Sequence, residues 1–392
     1  MSQKALSAKK DSKESPESSA SYKKGLEGVI AAETALSLVD GEGSRLLYRG
    51  IPVHELVEGS HFEEVVYLLW NDQLPRSDEL KSFKNELIKH RAVEPEVLEI
   101  LKAFPKKAHP MGALRTAISL LGLYDPQADQ VDLENNRRKA FRLTAAFPTL
   151  IALFHRYRKN QEPIAPDPKL SHAANFYYMM QGKKPEPTME KALDAYLILL
   201  ADHGLNASTF SARVTASTRS DMYSAVTAAI GTLKGDLHGS ANQRAMEMIL
   251  AIGKPEKAEP YVRDLLVRKE KVMGFGHRIY KKQDPRAEAF REIAAQMCER
   301  SGEKIWMEIS NRVEKLMWQE KRIPCNVDFF SASVLYILGF PVDFFTTVFA
   351  ASRVAGWSAH VIEQLADNRL IRPACAYVGS KSRHFQPLDE RK

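Results

Sequence analysis

Apolar residues recur along most of this chain at the spacing of one face of an α-helix. The clearest run has apolar residues at i, i+3, i+4, i+7 and i+8: Phe62, Val65, Val66, Leu69 and Trp70. Convincing strand patterns are scarce, and the best of them flanks Gly41–Gly43, which predicts one small β-hairpin near the start. We therefore predict an all-α fold with a minor β element.

Breaker residues predict where several of these helices end. Pro148 interrupts an apolar helical segment and should kink or restart the helix there. A helix that starts near Thr188 should run to about His203, with Gly204 as its stop. In the long apolar segment near the C-terminus, we expect breaks at Pro341 and Gly356.

The composition excludes several classes of protein. The 392 residues are 44% hydrophobic and 27% charged, as in ordinary globular proteins, and the net charge of +7 is dispersed along the chain. Dispersed cations without interleaved aromatics favour small anionic ligands over nucleic acid. Three cysteines without a Cys-x-x-Cys pair argue against a disulfide framework or a metal site and for a reducing, cytoplasmic location. No apolar run reaches membrane-spanning length, and no secretory signal is visible.

Three polar islands interrupt the apolar segments, and each carries one titratable side chain. They place His238 between two glycines, His277 after Gly-Phe-Gly, and Asp328 between apolar residues. Two imidazoles and one carboxylate suit proton transfer, and apolar surroundings would make Asp328 a stronger base. The alternatives are structural: a histidine in a turn often has no catalytic role, and Asp328 or Ser331 could simply be the N-cap of the next helix.

Further residues suggest an anionic substrate. Cations follow His277, which predicts an anion site, although the spacing matches neither a phosphate-binding loop nor a dinucleotide fingerprint. Arg286, Arg353 and Arg372 could hold carboxylates if they converge, although each alone is more often a surface or salt-bridge residue. His203 could equally serve only the end of its helix. No motif indicates a covalent nucleophile, a metal or a cofactor.

Read in order, the islands resemble the citrate synthase family from about Gly25 to Arg391. The segments that carry the resemblance are 201–208 (ADHGLNAS), 235–242 (GDLHGSAN), 273–281 (MGFGHRIYK), 284–286 (DPR), 326–328 (NVD), 352–360 (SRVAGWSAH) and 369–373 (RLIRP). Seven motifs in the family's order are far more specific than any one of them.

The resemblance implies a two-domain helical fold and a homodimer, with hexamers left open. The expected large domain comprises residues 25–235 and 329–385, and the small domain comprises 236–328. Residues 1–24, which are rich in Ser, Lys and Glu, read as a disordered tail. The implied activity is that of an acyltransferase of the Si type in the tricarboxylic acid cycle, which joins acetyl-CoA, as co-substrate, to oxaloacetate and water and yields citrate and CoA.

The resemblance also implies roles for individual residues. Asp328 would remove a methyl proton from the acetyl thioester, His238 would donate to the thioester oxygen, and His277 would polarise and protonate the ketone of oxaloacetate. The residues expected to bind oxaloacetate and citrate are His203, Arg286, Arg353 and Arg372, with Arg372 reaching across the dimer. The residues expected to hold CoA are Lys271, Val272, Met273, Gly274, Phe275, Gly276 and Lys281.

Two departures and two rivals complete the predictions. Ser240 stands where the family usually has glycine and would strain a backbone that requires positive φ, and Gln243-Arg244 replaces an acidic-small pair. The nearest rival is 2-methylcitrate synthase, which uses propionyl-CoA, since one methylene is worth only ~1–3 kcal/mol in a pocket. The second rival is a binding protein that has kept the fold and lost catalysis.

Overall fold

The computed structural model describes residues 22–380 and 382–391. Within them the chain forms sixteen α-helices and one three-stranded sheet, which confirms the all-α prediction. The first eight helices are α1 (Val53–Gly59), α2 (Phe62–Asn71), α3 (Ser77–Lys89), α4 (Pro95–Lys102), α5 (Pro110–Leu123), α6 (Leu133–Arg158), α7 (His172–Gln181) and α8 (Pro187–Leu200). The others are α9 (Ala207–Ser217), α10 (Met222–Leu233), α11 (Ala241–Ile252), α12 (Ala258–Val267), α13 (Pro285–Ser301), α14 (Lys304–Lys321), α15 (Val327–Ile337) and α16 (Phe345–Ala366).

The predicted hairpin is present, with a third strand added. Strands β1 (Ser37–Asp40), β2 (Arg45–Tyr48) and β3 (Ile51–Pro52) pair antiparallel in chain order. The turn between β1 and β2 lies against the segment that follows His277, because a Cβ on Gly41 would come within 2.5 Å of the Ile279 carbonyl oxygen. The sheet is therefore a support for a candidate site segment.

The break predicted at Gly356 is wrong, and no helix restarts at Pro148. Helix α6 continues without interruption through Pro148. Helix α16 likewise runs through Gly356, where a Cβ would lie 2.4 Å from the Ala201 carbonyl oxygen. Gly356 thus allows close packing of two segments and does not end the helix. The break at Pro341 is confirmed, since α15 ends at Ile337 and α16 begins at Phe345.

Helix α16 is buried along most of its length and satisfies the last carbonyl groups of α8. The Ser352 hydroxyl donates to the Leu197 carbonyl at 2.5 Å, and Arg353 Nε donates to the Leu200 carbonyl at 2.7 Å. The Gly356 N–H donates to the Ala201 carbonyl at 3.1 Å. The final carbonyls of a helix lack partners within the helix, so these bonds fix the point where the chain leaves α8. That helix ends at Leu200, earlier than predicted, and Gly204 takes positive φ (+56°) in the following loop.

Contacts divide the chain into two units. Residues Thr34–Ile371 form one compact unit that contains all sixteen helices and the sheet. The other unit consists of the chain ends up to Glu33 and from Arg372, and its described residues include the short 3₁₀ turns Lys24–Leu26 and Leu388–Glu390. Most of the predicted tail, residues 1–21, lies outside the described residues, and the boundaries proposed at 235/236 and 328/329 stay predictions. No helix in the described ranges is long and apolar enough to cross a bilayer.

Candidate active site

His277 lies in the loop between α12 and α13 as a neutral imidazole of defined tautomer. Its Nδ1 accepts hydrogen bonds from the backbone N–H groups of Ile279 at 3.0 Å and Tyr280 at 3.1 Å. A backbone amide can only donate, so Nδ1 carries the lone pair and the proton is on Nε2. Burial, aided by the charge of Arg286, lowers the pKa of His277 to about 4. The ring therefore offers one N–H donor at neutral pH.

His238 has the opposite tautomer. Its Nε2 accepts from the backbone N–H of Ser208 at 3.3 Å and lies 2.8 Å from the Ser208 hydroxyl. The Trp357 indole N–H donates to the same hydroxyl at 3.1 Å, and Asn206 caps α9 beside it. Burial, followed by the charge of Arg353, lowers the pKa of His238 to about 4. The free donor of this imidazole is thus its Nδ1–H.

Asp328 is the second residue of α15, and the suggestion that it serves only as an N-cap is wrong. Asn326 fills that position, and its side chain accepts from the Asp328 N–H at 3.0 Å. Ser331 lies inside the helix, so it is not the cap either. Desolvation raises the pKa of Asp328 to about 7, and the two arginines nearby oppose it. A carboxyl group of that pKa is matched to abstracting a proton near neutral pH.

Arg286 is buried and is held by one carboxylate. Its Nε and Nη2 donate to Asp284 at 3.0 and 2.8 Å, and the two side chains are 3% and 2% exposed, respectively. This bidentate pairing fixes the plane of the guanidinium group. The remaining nitrogen, Nη1, forms no hydrogen bond with a described residue, so it is free for a ligand.

Arg353 is a buried cation without a paired carboxylate. Its side chain is 1% exposed, Nε is committed to the Leu200 carbonyl, and the guanidinium carbon lies 4.8 Å from the centre of the Phe349 ring. It forms no ion pair within 4.0 Å with any carboxylate of the described residues. Burial lowers the pKa of Arg353 to about 10, which still leaves it charged at pH 7. An unpaired buried guanidinium is costly unless an anion completes it.

His203 lies beside His277 and within electrostatic range of His238. Its ring centre is 5.4 Å from that of His277, and its Nε2 is 3.2 Å from the Tyr280 hydroxyl. Burial, and then the charges of Arg286 and Arg353, keep the pKa of His203 far below its usual value. His203 follows the end of α8 and faces other site residues, so the explanation that it only stabilises a helix terminus is insufficient.

The loop that carries His203 is anchored from behind by a buried pair. His360 Nε2 lies 3.2 Å from Asp202 Oδ1, both side chains are fully buried, and Asp202 also accepts from the Gly204 N–H at 3.0 Å. Arg213 donates to His360 Nδ1 at 3.1 Å, which places the proton of that ring on the nitrogen that faces Asp202. The arrangement orients the backbone on both sides of His203.

The predicted residues converge electrostatically. Arg353 affects the pKa of His238, His203 and Asp328. Arg286 affects that of His277, His203 and Asp328. Each of these two arginines thus lies within electrostatic range of three of the predicted residues, across up to 150 positions of sequence. The structure thus brings together six of the seven residues predicted for catalysis and substrate binding.

Arg372 is the exception. It lies in the unit formed by the chain ends and is exposed. Its predicted role in substrate binding stays a prediction.

The segment predicted to hold CoA is fixed beside the start of α15. The Gly276 N–H donates to the Pro324 carbonyl at 2.9 Å, and the Asn326 N–H donates to the Gly274 carbonyl at 2.9 Å. Gly274 takes φ of +82°, and a Cβ there would lie 2.8 Å from Phe329, so glycine is required. Val272 is buried, Met273 and Phe275 are partly buried, and Lys271 and Lys281 are exposed. Two cations are thus accessible on a segment that adjoins the candidate base.

The strain expected at Ser240 is absent. Ser240 has φ of −84° and ψ of 4°, which any residue adopts, and its hydroxyl is 3.3 Å from the Lys234 carbonyl. The constrained position is its neighbour Gly239, where a Cβ would lie 2.4 Å from the Leu233 carbonyl oxygen. Arg244 pairs with Asp236 at 3.5 Å, so this departure adds an ion pair within the loop that carries His238.

Sequence reasoning assigned no role to three residues that hold the site together. Ser208 sets the tautomer of His238, Tyr280 contacts His203, and Asp284 holds Arg286. Asp284 had a detectable signal, since Asp before Pro is typical of an N-cap followed by the first helical residue. The other two contacts depend on tertiary packing and leave no signal at short range.

Comparisons with known proteins agree with this geometry. Residues 25–374 match the family described as "Citrate synthase, C-terminal domain". Citrate synthase 2 of Bacillus subtilis is 48% identical over 369 residues, which cover 94% of this chain and 99% of that protein. 2-Methylcitrate synthase 2 of Corynebacterium glutamicum is 43% identical over 378 residues, covering 94% and 98%.

A solved structure extends the likeness to three dimensions. It is the ternary complex of citrate synthase from Thermoplasma acidophilum with carboxymethyl coenzyme A and oxaloacetate, and it aligns with a TM-score of 0.90 at 33% identity, covering 94% of this chain and 99% of that one. Identity and coverage at these levels show the family. The chain therefore belongs to the citrate synthase family and is an enzyme that condenses acetyl-CoA with oxaloacetate.

Proposed function

We propose that Asp328, His238 and His277 carry out the condensation. Asp328 takes a proton from the methyl group of acetyl-CoA while the His238 Nδ1–H donates to the thioester oxygen, which gives the enol or enolate. Its methylene carbon then attacks the ketone of oxaloacetate, and the His277 Nε2–H protonates the ketone oxygen. Water hydrolyses the citryl thioester, which releases citrate and CoA.

One observation carries this proposal: both imidazoles are neutral donors of fixed tautomer, and each shares the influence of one buried arginine with a carboxyl group of raised pKa. Each ring has one nitrogen occupied by a backbone N–H, so only the other nitrogen can donate. Preorganised donors to a developing oxyanion contribute ~3–4 kcal/mol, and a positioned base contributes about 10²–10⁴ in rate. Because both imidazoles are neutral, neither transfers its proton to a substrate before the methyl group of acetyl-CoA reacts.

The cations account for the second substrate. Among the described residues, no group hydrogen-bonds to Nη1 of Arg286 and no carboxylate pairs with Arg353, and the ring centre of His203 lies 5.4 Å from that of His277. Oxaloacetate carries two carboxylates, so we assign these three residues to its binding. We assign Lys271–Gly276 and Lys281 to CoA, with the lysines facing its phosphates.

The larger assembly is proposed on the resemblance alone. We expect a homodimer in which Arg372 of one copy reaches the site of the other. Residues 236–328 would close as a small domain over residues 25–235 and 329–385 and exclude water. Cys298, Cys325 and Cys375 are unpaired, which suits a reducing cytoplasmic compartment.

We propose acetyl-CoA over propionyl-CoA as the substrate. Steady-state kinetics with both thioesters and oxaloacetate should give the higher kcat/KM for acetyl-CoA. A reversed preference would instead indicate 2-methylcitrate synthesis.

The catalytic assignment is tested by Asp328→Ala. Oxaloacetate binding, measured by calorimetry, should stay within a few-fold of the unsubstituted protein, while kcat falls by about 10²–10⁴. Glu288→Gln, which removes an exposed carboxylate from α13, is the control and should keep full activity. Unchanged CoA release in Asp328→Ala would show that Asp328 is not the base, and loss of turnover without loss of binding would exclude a protein that only binds.

A further inference from the structure

Asp284 joins two parts of the site that are separate in the sequence. Its carboxylate accepts from the Arg286 side chain through Nε and Nη2, from the Arg286 backbone N–H at 3.1 Å, and from the Val327 N–H at 3.1 Å. Val327 is the first residue of α15 and directly precedes Asp328. One buried carboxylate therefore touches both the substrate-binding arginine and the helical turn of the candidate base.

A capping role alone does not account for these bonds. Capping α13 requires only the hydrogen bond to the Arg286 N–H, which Asp284 makes as the residue before Pro285. Helix α15 already has its own cap in Asn326. The bond to Val327 spans 43 positions of sequence, and although it also satisfies the first N–H of α15, a cap of that helix does not require a residue from another element. What it does add is a fixed distance between the first turn of α15 and the Arg286 guanidinium.

We propose that Asp284 is a positioning residue for the condensation, which sets the Arg286 guanidinium and the Asp328 carboxylate in register with each other. This inference rests on the roles proposed for Arg286 and Asp328. It assigns to Asp284 no contact with either substrate. Its effect is to hold the carboxylate-binding group of one substrate at a set position relative to the base that acts on the other.

The negative charge of Asp284 also affects the pKa of Asp328. Two cations, Arg286 and Arg353, favour the ionised form of Asp328, and the anion of Asp284 opposes it. Tyr196 also faces Asp328 and is neutral. Burial is the largest cause of the raised pKa of Asp328, and Asp284 adds to it. Removing the charge of Asp284 leaves both cations acting without this opposition, so the pKa of Asp328 should fall.

The test compares Asp284→Asn and Asp284→Glu with the Glu288→Gln control from the same helix. The measurements are KM for oxaloacetate and the pH dependence of kcat/KM for acetyl-CoA at saturating oxaloacetate, from about pH 5 to 9. In Asp284→Asn, the amide cannot accept all four bonds, so KM for oxaloacetate should rise about 10-fold, as for loss of a hydrogen bond to a charged group. The acid limb should move down by about one pH unit.

In Asp284→Glu the charge is kept and the reach is changed. KM for oxaloacetate should again rise while the acid limb stays within a few tenths of a pH unit of its original position. If Asp284→Asn does not fold, this variant decides alone: a raised KM supports positioning, and an unchanged KM refutes it. A merely structural role would lower the unfolding temperature of Asp284→Asn and leave both its KM and its acid limb in place, which overturns the proposal.

Asp328→Ala, measured in parallel, distinguishes a wrong role for Asp284 from a wrong role for Asp328. If it loses turnover while Asp284→Asn matches the Glu288→Gln control, only the role of Asp284 is wrong. If Asp328→Ala keeps full turnover, the base itself is misassigned, and the role of Asp284 falls with it.

Discussion

Replacing Asp328 by Asn should stabilise this protein at alkaline pH, although it removes the base. The pKa of Asp328 in the folded state is about 7, against a usual value of 3.8. Between these values the folded protein keeps a proton that the unfolded chain releases. Stability contributed by the protonated form is therefore present at low pH and is lost as pH rises through about 7. An uncharged Asn does not incur this loss.

The size of the effect follows from the separation of the two pKa values. About three units correspond to ~4 kcal/mol when Asp328 is fully ionised in the folded state. Part of this cost already exists at pH 5, so the pH-dependent difference between pH 5 and pH 8 is about 2–3 kcal/mol. Lost contacts of the carboxyl group shift both values equally and cancel in this comparison.

Urea unfolding at pH 5 and pH 8, at one protein concentration, measures the effect. The free energy of unfolding of Asp328→Asn minus that of the unsubstituted protein should be larger at pH 8 than at pH 5 by about 2–3 kcal/mol. Asp367→Asn removes an exposed carboxylate beyond α16 and is measured beside it as the matched control. An Asp328→Asn difference that is equal at both pH values, or larger at pH 5, would refute the raised pKa and the base strength inferred from it.

Three further predictions use other contacts of the site. First, kcat/KM should rise as pH increases through about 7, because Asp328 must lose its proton before it can act as the base. His238 and His277, with pKa values of about 4, are already neutral in this range. A flat profile of kcat/KM from pH 6 to 8 would contradict this prediction. Second, Ser208→Ala should lower kcat about 3–10-fold, as for the lost contact between its hydroxyl and His238, with oxaloacetate binding unchanged. A loss confined to binding would contradict a role for this hydroxyl in orienting His238. Third, Gly356→Ala should lower the free energy of unfolding by ~1–3 kcal/mol, because the added Cβ overpacks against Ala201. Urea unfolding measures this change, and Gly112→Ala, where a Cβ meets nothing within 4 Å, is the control. Equal stability of these two glycine variants would show that the α16 contact can relax.

Local sequence patterns predicted the helices well because helix formation depends on neighbouring residues. The apolar spacing at Phe62–Trp70 became α2, and the glycines at 41 and 43 lie in the predicted hairpin turn. The failure at Gly356 has its cause in packing, which outweighs the local tendency to break a helix. At Gly356 the missing side chain is what lets α16 approach the chain that leaves α8.

The site was predictable in its membership but not in its protonation. The resemblance named His238, His277 and Asp328; in the structure Arg353 affects the pKa of His238 and Asp328, and Arg286 affects that of His277 and Asp328. Which ring nitrogen carries each proton depends on the amides of Ser208, Ile279 and Tyr280, which only the folded chain places. The raised pKa of Asp328 is likewise a property of its surroundings. Strain at Ser240 was expected only if its backbone required positive φ, and a family preference for glycine does not reveal which backbone angle it serves.

The most direct test of the central claim is a crystal structure of this protein with oxaloacetate and an unreactive acetyl-CoA analogue. The carboxylate of Asp328 should lie about 3 Å from the carbon that replaces the acetyl methyl group. His238 Nδ1 should lie at hydrogen-bonding distance from the thioester oxygen, and His277 Nε2 at the same distance from the ketone oxygen of oxaloacetate. An analogue bound with its reacting carbon beyond the reach of Asp328, or with either imidazole turned so that its lone pair faces the substrate, would contradict the account.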